Sequence, residues 1–388
     1  MKLSFVFLAG IAAVNGVLEA QTLNLIYNFT GGSDGGVPLA GLVLDASGNL
    51  YGTASAGGDY GAGAVFKVST SGQQQVLHSF AGGTDGSNPQ SILIMDSSGD
   101  LYGATYAGGT HGYGTVFEVT AAGQEKVLYS FAGGTDGANP IGGLAMNAAG
   151  ELYGTTFYGG AYSGGTVFAV SKSGHEKVLY SFGQGADGAN PVAGVSLGPK
   201  GALYGTTSAG GAAGDGTVFE LTASQPEWKE TILYSFQLQN DGGAPYAGVI
   251  FDKSGHLYGA ATTGGQGGDN GGGTVFELTH SSSGWNFAVI SQLAGWGFSG
   301  TFRDLMLDAS GNIWATTHCD GDYSMGTIYE ITPSGSTWSF TQLYEFPSGG
   351  SMGYYVFSNL VADSQGNLYG TASAGGAYGS GVVFQIVP

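Results

Sequence analysis

The chain has 388 residues, of which 28 are Asp or Glu and only 9 are Lys or Arg, so its formal net charge is −19. No basic cluster occurs along it, which excludes nucleic-acid binding and argues against strongly anionic glycans as partners. It contains 76 glycines, yet 42 % of its residues are hydrophobic, which excludes a disordered chain and indicates short strands separated by turns. A single cysteine, Cys319, excludes an intrachain disulfide.

Residues 1–20 have the pattern of a signal peptide. Lys2 supplies an early positive charge, Leu3 to Val14 are mostly apolar, and small residues precede Gln21. We therefore expect a secreted protein, extracellular or periplasmic, whose mature chain (21–388) is one domain. No later apolar run approaches the roughly 20 residues that a membrane span needs, so we expect no membrane insertion. We also expect a monomer.

The first predicted element of the mature chain is a lone strand within residues 24–29, Leu25 to Phe29, which resembles later VLYSF segments. Seven repeat units follow, and each is marked by Leu-Tyr-Gly or, in the sixth, by Ile-Trp-Ala. The marker aromatics are Tyr51, Tyr102, Tyr153, Tyr204, Tyr258, Trp314 and Tyr369. The units span residues 41–80, 91–131, 142–182, 193–236, 247–293, 303–346 and 358–386.

The first unit predicts four strands. They are strand a (Gly41 to Asp45), strand b (Asn49 to Ala54), strand c (Ala64 to Val68) and strand d (Gln75 to Phe80). Units of about 50 residues with four strands are typical of a propeller, whereas β-helix coils are shorter and helical solenoids have a period of about 3.6. We predict an all-β, seven-bladed β-propeller with four antiparallel strands per blade.

The two ends of the chain predict how this ring closes. The last unit stops after a strand c, Val382 to Ile386, and the lone strand Leu25 to Phe29 supplies the strand d that this unit lacks. Pairing of the two strands leaves no open sheet edge. In such a ring, the d-to-a and b-to-c loops share one rim.

Five d-to-a loops carry the motif Asp-Gly-x-x-Pro. Their acidic residues are Asp34, Asp85, Asp136, Asp187 and Asp241. A ring of carboxylates would suit Ca²⁺, whereas an Asx-type turn would bond each Asp to its own backbone. We favour the turn, because a residue that recurs once per blade is normally architectural, and we predict no metal and no cofactor. For the same reason the Tyr column is assigned to blade-to-blade packing.

These motifs resemble the GloVer (Gloeo/Verruco) tandem repeat. Its pattern runs L-Y-S-F, D-G-x-x-P, G-N-L-Y-G-T-T, G-G and G-T-V-F-E, and here it reads Leu128 to Phe131, Asp136 to Pro140, Glu151 to Thr156, Gly159-Gly160 and Gly165 to Phe168. The resemblance covers the whole mature chain. It implies a bacterial, exported protein of a group whose members often carry a choice of surface anchors, and it brings no agreed activity.

The sixth and seventh units depart most from the repeat, so we look for function there. Their d-to-a loops lose Asp-Gly-x-x-Pro and carry Trp296, Tyr354 and Tyr355, which offer stacking faces. The b-to-c loop of the sixth unit carries His318, Asp320, Asp322 and Tyr323. We name His318, Asp320 and Asp322 as candidate general acid and base groups, although a loop His beside Asp is common without catalysis.

The innermost strands point to a second set of candidates. Arg303, the only arginine, is predicted at the mouth of the central channel, where the other units have small residues. The next position is polar only at Asp304 and Asn359. Arg303 would either bind a carboxylate or sugar hydroxyls, or act as a structural plug bonded to carbonyls and to Asp304.

From these residues we predict an extracellular binding or scaffold module. Its partner would be a neutral glycan or a cell-surface partner, held by Arg303, Asp304 and Asn359 with Trp296, Tyr323, Tyr354 and Tyr355 around them. The alternative is a glycan-active hydrolase or lyase that works at the channel mouth of the sixth and seventh units.

Overall fold

The computed structural model describes residues 22–224, 227–265, 271–282, 284–293, 300–301, 303–335 and 337–387. Within them, seven four-stranded antiparallel sheets surround a central channel, which confirms the predicted β-propeller. We number the blades 1 to 7 in chain order and letter their strands a to d from the channel outward. None of the helices in this part of the chain is long and apolar enough to cross a membrane.

The two inner strands differ in length. Strands a pair over two residues each: Val43–Leu44, Ile94–Met95, Ala145–Met146, Ser196–Leu197, Ile250–Phe251, Met306–Leu307 and Val361–Ala362. Strands b are longer: Asn49–Ala54, Leu101–Ala107, Leu152–Thr156, Leu203–Thr207, Leu257–Ala261, Ile313–Thr317 and Leu368–Ala372. Strand a is shorter than predicted. The chain is also crowded near the axis, where a Cβ on Gly142 would lie 2.2 Å from the Gly194 nitrogen.

The two outer strands complete each sheet. Strands c are Ala64–Ser69, Thr115–Val119, Thr166–Val170, Thr217–Ala223, Thr274–Ser281, Thr327–Ser334 and Val382–Val387. Strands d are Gln74–Ser79, Glu125–Ser130, Glu176–Ser181, Trp228–Ser235, Gly284–Gln292 and Thr337–Glu345, with Thr22–Asn28 in blade 7. Short bridging strands (Ser87–Pro89, Gly188–Ala189, Ala209–Gly210) and 3-10 turns (Gly83–Asp85, Gly134–Asp136, Pro199–Gly201) lie in the loops.

The N-terminal strand closes the ring as predicted. Thr22–Asn28 pairs antiparallel with Val382–Val387, with Leu25 opposite Phe384. Phe29, the residue after this strand, is fully buried and packs edge-on against Phe66 of blade 1 at 5.0 Å. Blade 7 is thus tied to both ends of the chain.

Neighbouring blades share their cores. Tyr102 of blade 2 packs with Leu144 and Phe168 of blade 3 in one cluster, as expected for the Tyr column. The Thr that follows the marker tripeptide donates to a carbonyl just before strand a of the next blade, as Thr155 does to Ala193 at 2.7 Å. Blade contacts therefore combine aromatic packing with a repeated hydrogen bond.

Every strand d contains one bulged residue where its register with strand c shifts, such as Leu128 between Val127 and Tyr129. A bulge bends the strand and re-aims the next side chain. The residue after it, Tyr129, donates to Asp136 of the following loop at 2.7 Å. The bulge therefore places the Tyr129 hydroxyl beside Asp136 of the following loop.

The d-to-a and b-to-c loops share one rim, as predicted. Backbone bridges join Gly36 to Ala56, Ala138 to Tyr158 and Tyr354 to Ala374. The loop carboxylates bond to their own loops: Asp136 accepts from the Ala132 N–H at 2.6 Å. The carboxylate thus bonds the backbone of its own loop, as expected, but four residues back and not two residues on as in an Asx turn.

Candidate functional site

The loop rim surrounds a cup-shaped cavity of about 300 Å³ at the mouth of the central channel. Its wall is built mainly from the residue that follows the loop proline, or its equivalent, in successive blades. The described lining residues, which we call the mouth cup, are Leu39, Gln90, Ile141, Phe157, Val192, Tyr246, Arg303 and Phe357. Because the loops are bridged in the same way, these side chains converge on one point, and most of them are apolar.

Arg303 lies three residues before strand a of blade 6 and is 9 % exposed. Its Nε donates to the Phe357 carbonyl at 3.1 Å, and its Nη2 donates to the carbonyls of Leu39 at 3.0 Å and Gln90 at 3.4 Å. Nη1 has no hydrogen bond to the described residues. Burial lowers the pKa of Arg303, and the Asp304 charge opposes this. The guanidinium therefore ties blades 7, 1 and 2 together and keeps donor capacity at the mouth cup.

The Asp304 side chain is directed toward blade 5 rather than toward the mouth cup. Its Oδ1 accepts from the Gly248 N–H at 2.6 Å. Asp304 and Asn359 line a different cavity, of about 480 Å³, among the inner strands. Burial raises the pKa of Asp304. The predicted bond between Arg303 and Asp304 is not formed, so Asp304 and Asn359 do not share a cavity with Arg303.

His318 contributes to the rim beside the mouth cup, at the position that Phe157 occupies in blade 3. Its ring stacks on Phe357 at 3.9 Å and lies 4.8 Å from the Tyr355 ring. Burial lowers the pKa of His318 to about 4, so its imidazole is neutral at physiological pH. It acts there as an aromatic surface.

The acidic residues of the same loop face elsewhere. Asp320 Oδ1 accepts from the Gly321 N–H at 2.8 Å, and burial, followed by the Glu345 charge, raises the pKa of Asp320. Asp322 and Tyr323 are exposed, and the Tyr323 N–H donates to Glu345 Oε1 at 3.0 Å. The structure therefore does not gather His318, Asp320 and Asp322 into an acid–base set.

The blade 7 loop presents two of the predicted aromatic residues. Tyr354 and Tyr355 pack edge-to-face at 4.7 Å. Tyr355 has a φ of 60°, the conformation that Asn139 adopts in the equivalent loop with a φ of 58°. A tyrosine is unfavourable there, but Val37 and Ala244 also have a positive φ in the equivalent loops, so this conformation belongs to the shape of the loop. Trp296 lies outside the described residues.

Apart from Arg303, the residues that line the mouth cup were not predicted from the sequence. We counted the position after Leu39, Ile141 and Val192 as the top of strand a, and so reached Ala40, Gly142 and Ala193. A usable signal exists, since the residue after the loop proline is apolar or aromatic in every Asp-Gly-x-x-Pro loop except at Gln90. Phe157, from a b-to-c loop, carried no such signal.

The comparisons with known proteins agree with the fold. A solved structure provisionally named 6-phosphogluconolactonase, from Bacteroides uniformis, shares 15 % identity over 87 % of this chain and 98 % of its own, with a TM-score of 0.53. A provisionally named gluconolactonase shares 13 % identity over 95 % and 92 % of the two chains, with a TM-score of 0.46. No curated protein matches the sequence.

The family model described as the Gloeobacter/Verrucomicrobia repeat matches residues 14–198 and again residues 194–388. This confirms the resemblance found in the Leu-Tyr-Gly, Asp-Gly-x-x-Pro and Gly-Thr-Val-Phe motifs. The chain belongs to the Gloeobacter/Verrucomicrobia repeat family.

Proposed function

We propose that the protein is an extracellular binding module that takes a small organic carboxylate at the mouth cup. The observation that carries this proposal is an apolar cavity of about 300 Å³ over a buried guanidinium whose Nη1 is uncommitted among the described residues. Cavities of this size hold small ligands, and a few placed polar groups orient them. The family's repeat is typical of extracellular proteins, which agrees with the signal peptide proposed at residues 1–20.

The chemistry of the cup selects the ligand class. A carboxylate bonded to guanidinium in an apolar site gains a charge-assisted hydrogen bond of about 1.5–3 kcal/mol. The ligand's apolar body would lie against Ile141, Val192 and Phe357, at about 25 cal/mol per Å² of buried surface. This lining offers fewer polar partners than the sugar hydroxyls of a neutral glycan need, so we favour the carboxylate.

The rival hydrolase or lyase needs an acid and a base at one point. His318 is neutral with a pKa of about 4, and Asp320 bonds to Gly321. Two solved neighbours carry lactonase names, but at 13–15 % identity the likeness concerns the fold. Hydrolysis of a substrate at the mouth cup is therefore one of the outcomes that the tests below distinguish.

The test is calorimetric titration with phenylacetate, indole-3-acetate and decanoate, each paired with its uncharged alcohol. We expect each acid to bind at least about tenfold more tightly than its alcohol, a difference of about 1.4 kcal/mol. Ile141→Trp, which fills the cup without touching Arg303, should abolish binding, whereas Ile141→Val should retain it. Equal affinity for acids and alcohols would contradict the proposal.

A parallel panel of neutral oligosaccharides and lactones tests the two alternatives. Glycan binding that Ile141→Trp abolishes would replace the carboxylate with the neutral glycan. Glycan binding that survives Ile141→Trp would place the ligand elsewhere, for example in the groove that Lys200, Trp285 and His280 line on the opposite rim. Lactone hydrolysis that Ile141→Trp abolishes would make the mouth cup an active site.

A further inference from the structure

A recurring polar cluster lies on the outer side of the ring, where one blade meets the next. In it, the residue after the strand-d bulge meets the loop Asp and a Glu of the next strand d. Between blades 2 and 3, Tyr129 donates to Asp136 at 2.7 Å, and the charge of Asp136 acts on Glu176. Between blades 3 and 4, Tyr180 donates to both Asp187 and Glu230 at 3.1 Å.

Between blades 1 and 2 a histidine takes the place of the tyrosine. His78 Nε2 lies 3.3 Å from Asp85 Oδ2. The possible ligand atoms of His78, Asp85 and Glu125 all lie within 4.8 Å of one another, the only such group of three among the described residues. One imidazole nitrogen and two carboxylates form a common donor set for divalent transition metals.

Surrounding contacts hold two of these side chains in place. Asp85 Oδ2 accepts the Ala81 N–H at 2.6 Å, and the His78 ring packs edge-on against the fully buried Phe80 at 4.8 Å. His78 and Asp85 are still about one fifth exposed, at 19 % and 21 % of their side chains. They line a surface groove with Asp59 and Tyr60, so an ion has a path to them.

Glu125 brings a second carboxylate beside Asp85. Its Oε1 is buried and accepts no hydrogen bond. The charge of the Asp85 carboxylate acts on this buried group. A buried carboxylate oxygen beside a second carboxylate is stabilised by a cation between them.

We propose that His78, Asp85 and Glu125 form a site for a divalent transition metal of the Zn²⁺ class. Bonds of about 2.0–2.2 Å place the ligand atoms of a tetrahedral site about 3.2–3.6 Å apart, so the most distant donor moves inward by roughly 1 Å. The fourth position faces the groove and takes water or a ligand oxygen. Such an open site is typical of exchangeable metals.

The neighbouring boundaries explain why one metal site is expected. Tyr129 and Tyr180 keep their protons, because burial and the adjacent carboxylates raise their pKa values. A protonated phenol donates to the carboxylates and so satisfies them without a metal. His78→Tyr therefore restores the repeat's own arrangement, and Tyr129→His copies the proposed site into the next boundary.

The test is Zn²⁺ titration of the metal-stripped protein by calorimetry, with circular dichroism to confirm folding. We expect one site per chain in the Cys319→Ser background, which removes the thiol as a ligand. His78→Tyr and Glu125→Gln should each weaken binding by more than the roughly 10–100-fold cost of losing a supporting outer contact. Tyr129→His should add a second site.

Co²⁺ absorption in the visible region provides a second readout, because a more intense band indicates a Co²⁺ ion with a low number of nitrogen and oxygen ligands. Unchanged Zn²⁺ affinity in folded His78→Tyr would overturn the proposal. So would a wild-type protein that takes up no Zn²⁺, in which case His78 is only an ion-pair partner of Asp85.

Discussion

At the boundary between blades 2 and 3, the polar groups of Tyr129, Asp136 and Glu176 meet. At the boundary between blades 4 and 5, the aromatic ring of Phe287 occupies the strand-d position that Glu176 has in blade 3. Glu176 approaches Asp136 in the first case. In the second, Phe287 stacks on Tyr234 at 3.7 Å while Tyr234 still donates to Asp241. The same strand position thus accepts a carboxylate or a ring. The shape of the propeller depends on the backbone pairing of the strands and on the strand-d bulge. The side chain at this strand-d position therefore tolerates either residue type.

The rim loops also keep one backbone shape while their side chains differ. The blade 7 loop lacks the Asp and the Pro of the repeat, having Met352 and Val356 in their places. Its backbone is nevertheless conserved in shape, with Gly353 at a φ of 88° against 98° for Gly137, and with the bridge between Tyr354 and Ala374. Glycine and the bridge therefore set the loop, and the freed positions carry aromatic side chains.

Pro347 shows why the aspartate was dispensable in blade 7. In blade 3's loop, Asp136 accepts the Ala132 N–H. Pro347 follows Phe346 as Ala132 follows Phe131, and proline has no N–H to donate. An aspartate there would lack this partner.

The largest predicted effect concerns Arg303. Arg303→Met leaves the carbonyls of Leu39, Gln90 and Phe357 without their donor and Asp304 without its nearby cation. We expect a loss of about 3–5 kcal/mol in the free energy of unfolding, measured by chemical denaturation. Lys253→Met, at an exposed position, is the control and should change it by less than about 0.5 kcal/mol. Equal effects would show that Arg303 does not tie the blades.

The second prediction separates the two loop types. Asp136→Ala removes the acceptor for the Tyr129 hydroxyl and the Ala132 N–H, so stability should fall by about 1.5–3 kcal/mol in denaturant titrations. Ser351→Ala, in the blade 7 loop, removes an exposed hydroxyl and should be nearly neutral. A neutral Asp136→Ala would mean that the bridge alone fixes both loops.

The third prediction concerns the strained tyrosine of blade 7. Tyr355→Asn introduces the residue that three of the five Asp-Gly-x-x-Pro loops place at positive φ, where Asn139 also donates to the Tyr106 carbonyl at 2.9 Å. We expect a gain of about 1 kcal/mol in the free energy of unfolding. The same variant should weaken ligand binding at the adjacent mouth cup. Lower stability would argue that the tyrosine is a packing residue.

The smallest expected effect is a pH dependence at the polar boundaries. Burial, with the Asp136 charge, raises the pKa of Glu176 to about 7, above the usual value of 4.5. The folded state thus binds this proton more tightly, and stability from this group is present below pH 4.5 and is lost as pH rises through about 7. The effect is small because the carboxyl is only half buried.

Glu176→Gln isolates this contribution. The drop in melting temperature between pH 5 and pH 8 should be smaller in this variant than in the wild type. Glu227→Gln, which removes an exposed charge, is the matched control and should keep the wild-type slope. Identical slopes in all three proteins would show that Glu176 has an ordinary pKa.

The features that recur in every blade could be predicted from the sequence. Those that depend on the direction in which a side chain points could not. The Tyr column and the unpaired strand Leu25 to Phe29 were enough to predict seven blades and their closure, since each residue recurs or completes a count. The separation of Arg303 from Asp304 depends on the direction that each side chain takes from the segment before strand a of blade 6. The burial that makes His318 a neutral aromatic surface depends on Phe357, which lies 39 residues away in the chain.

The most direct test of the central claim is a crystal structure of the protein with phenylacetate. We predict the carboxylate about 2.7–2.9 Å from Arg303 Nη1 and the phenyl ring among Ile141, Val192 and Phe357. A mouth cup filled only by water in that crystal, with phenylacetate bound elsewhere or absent, would contradict it.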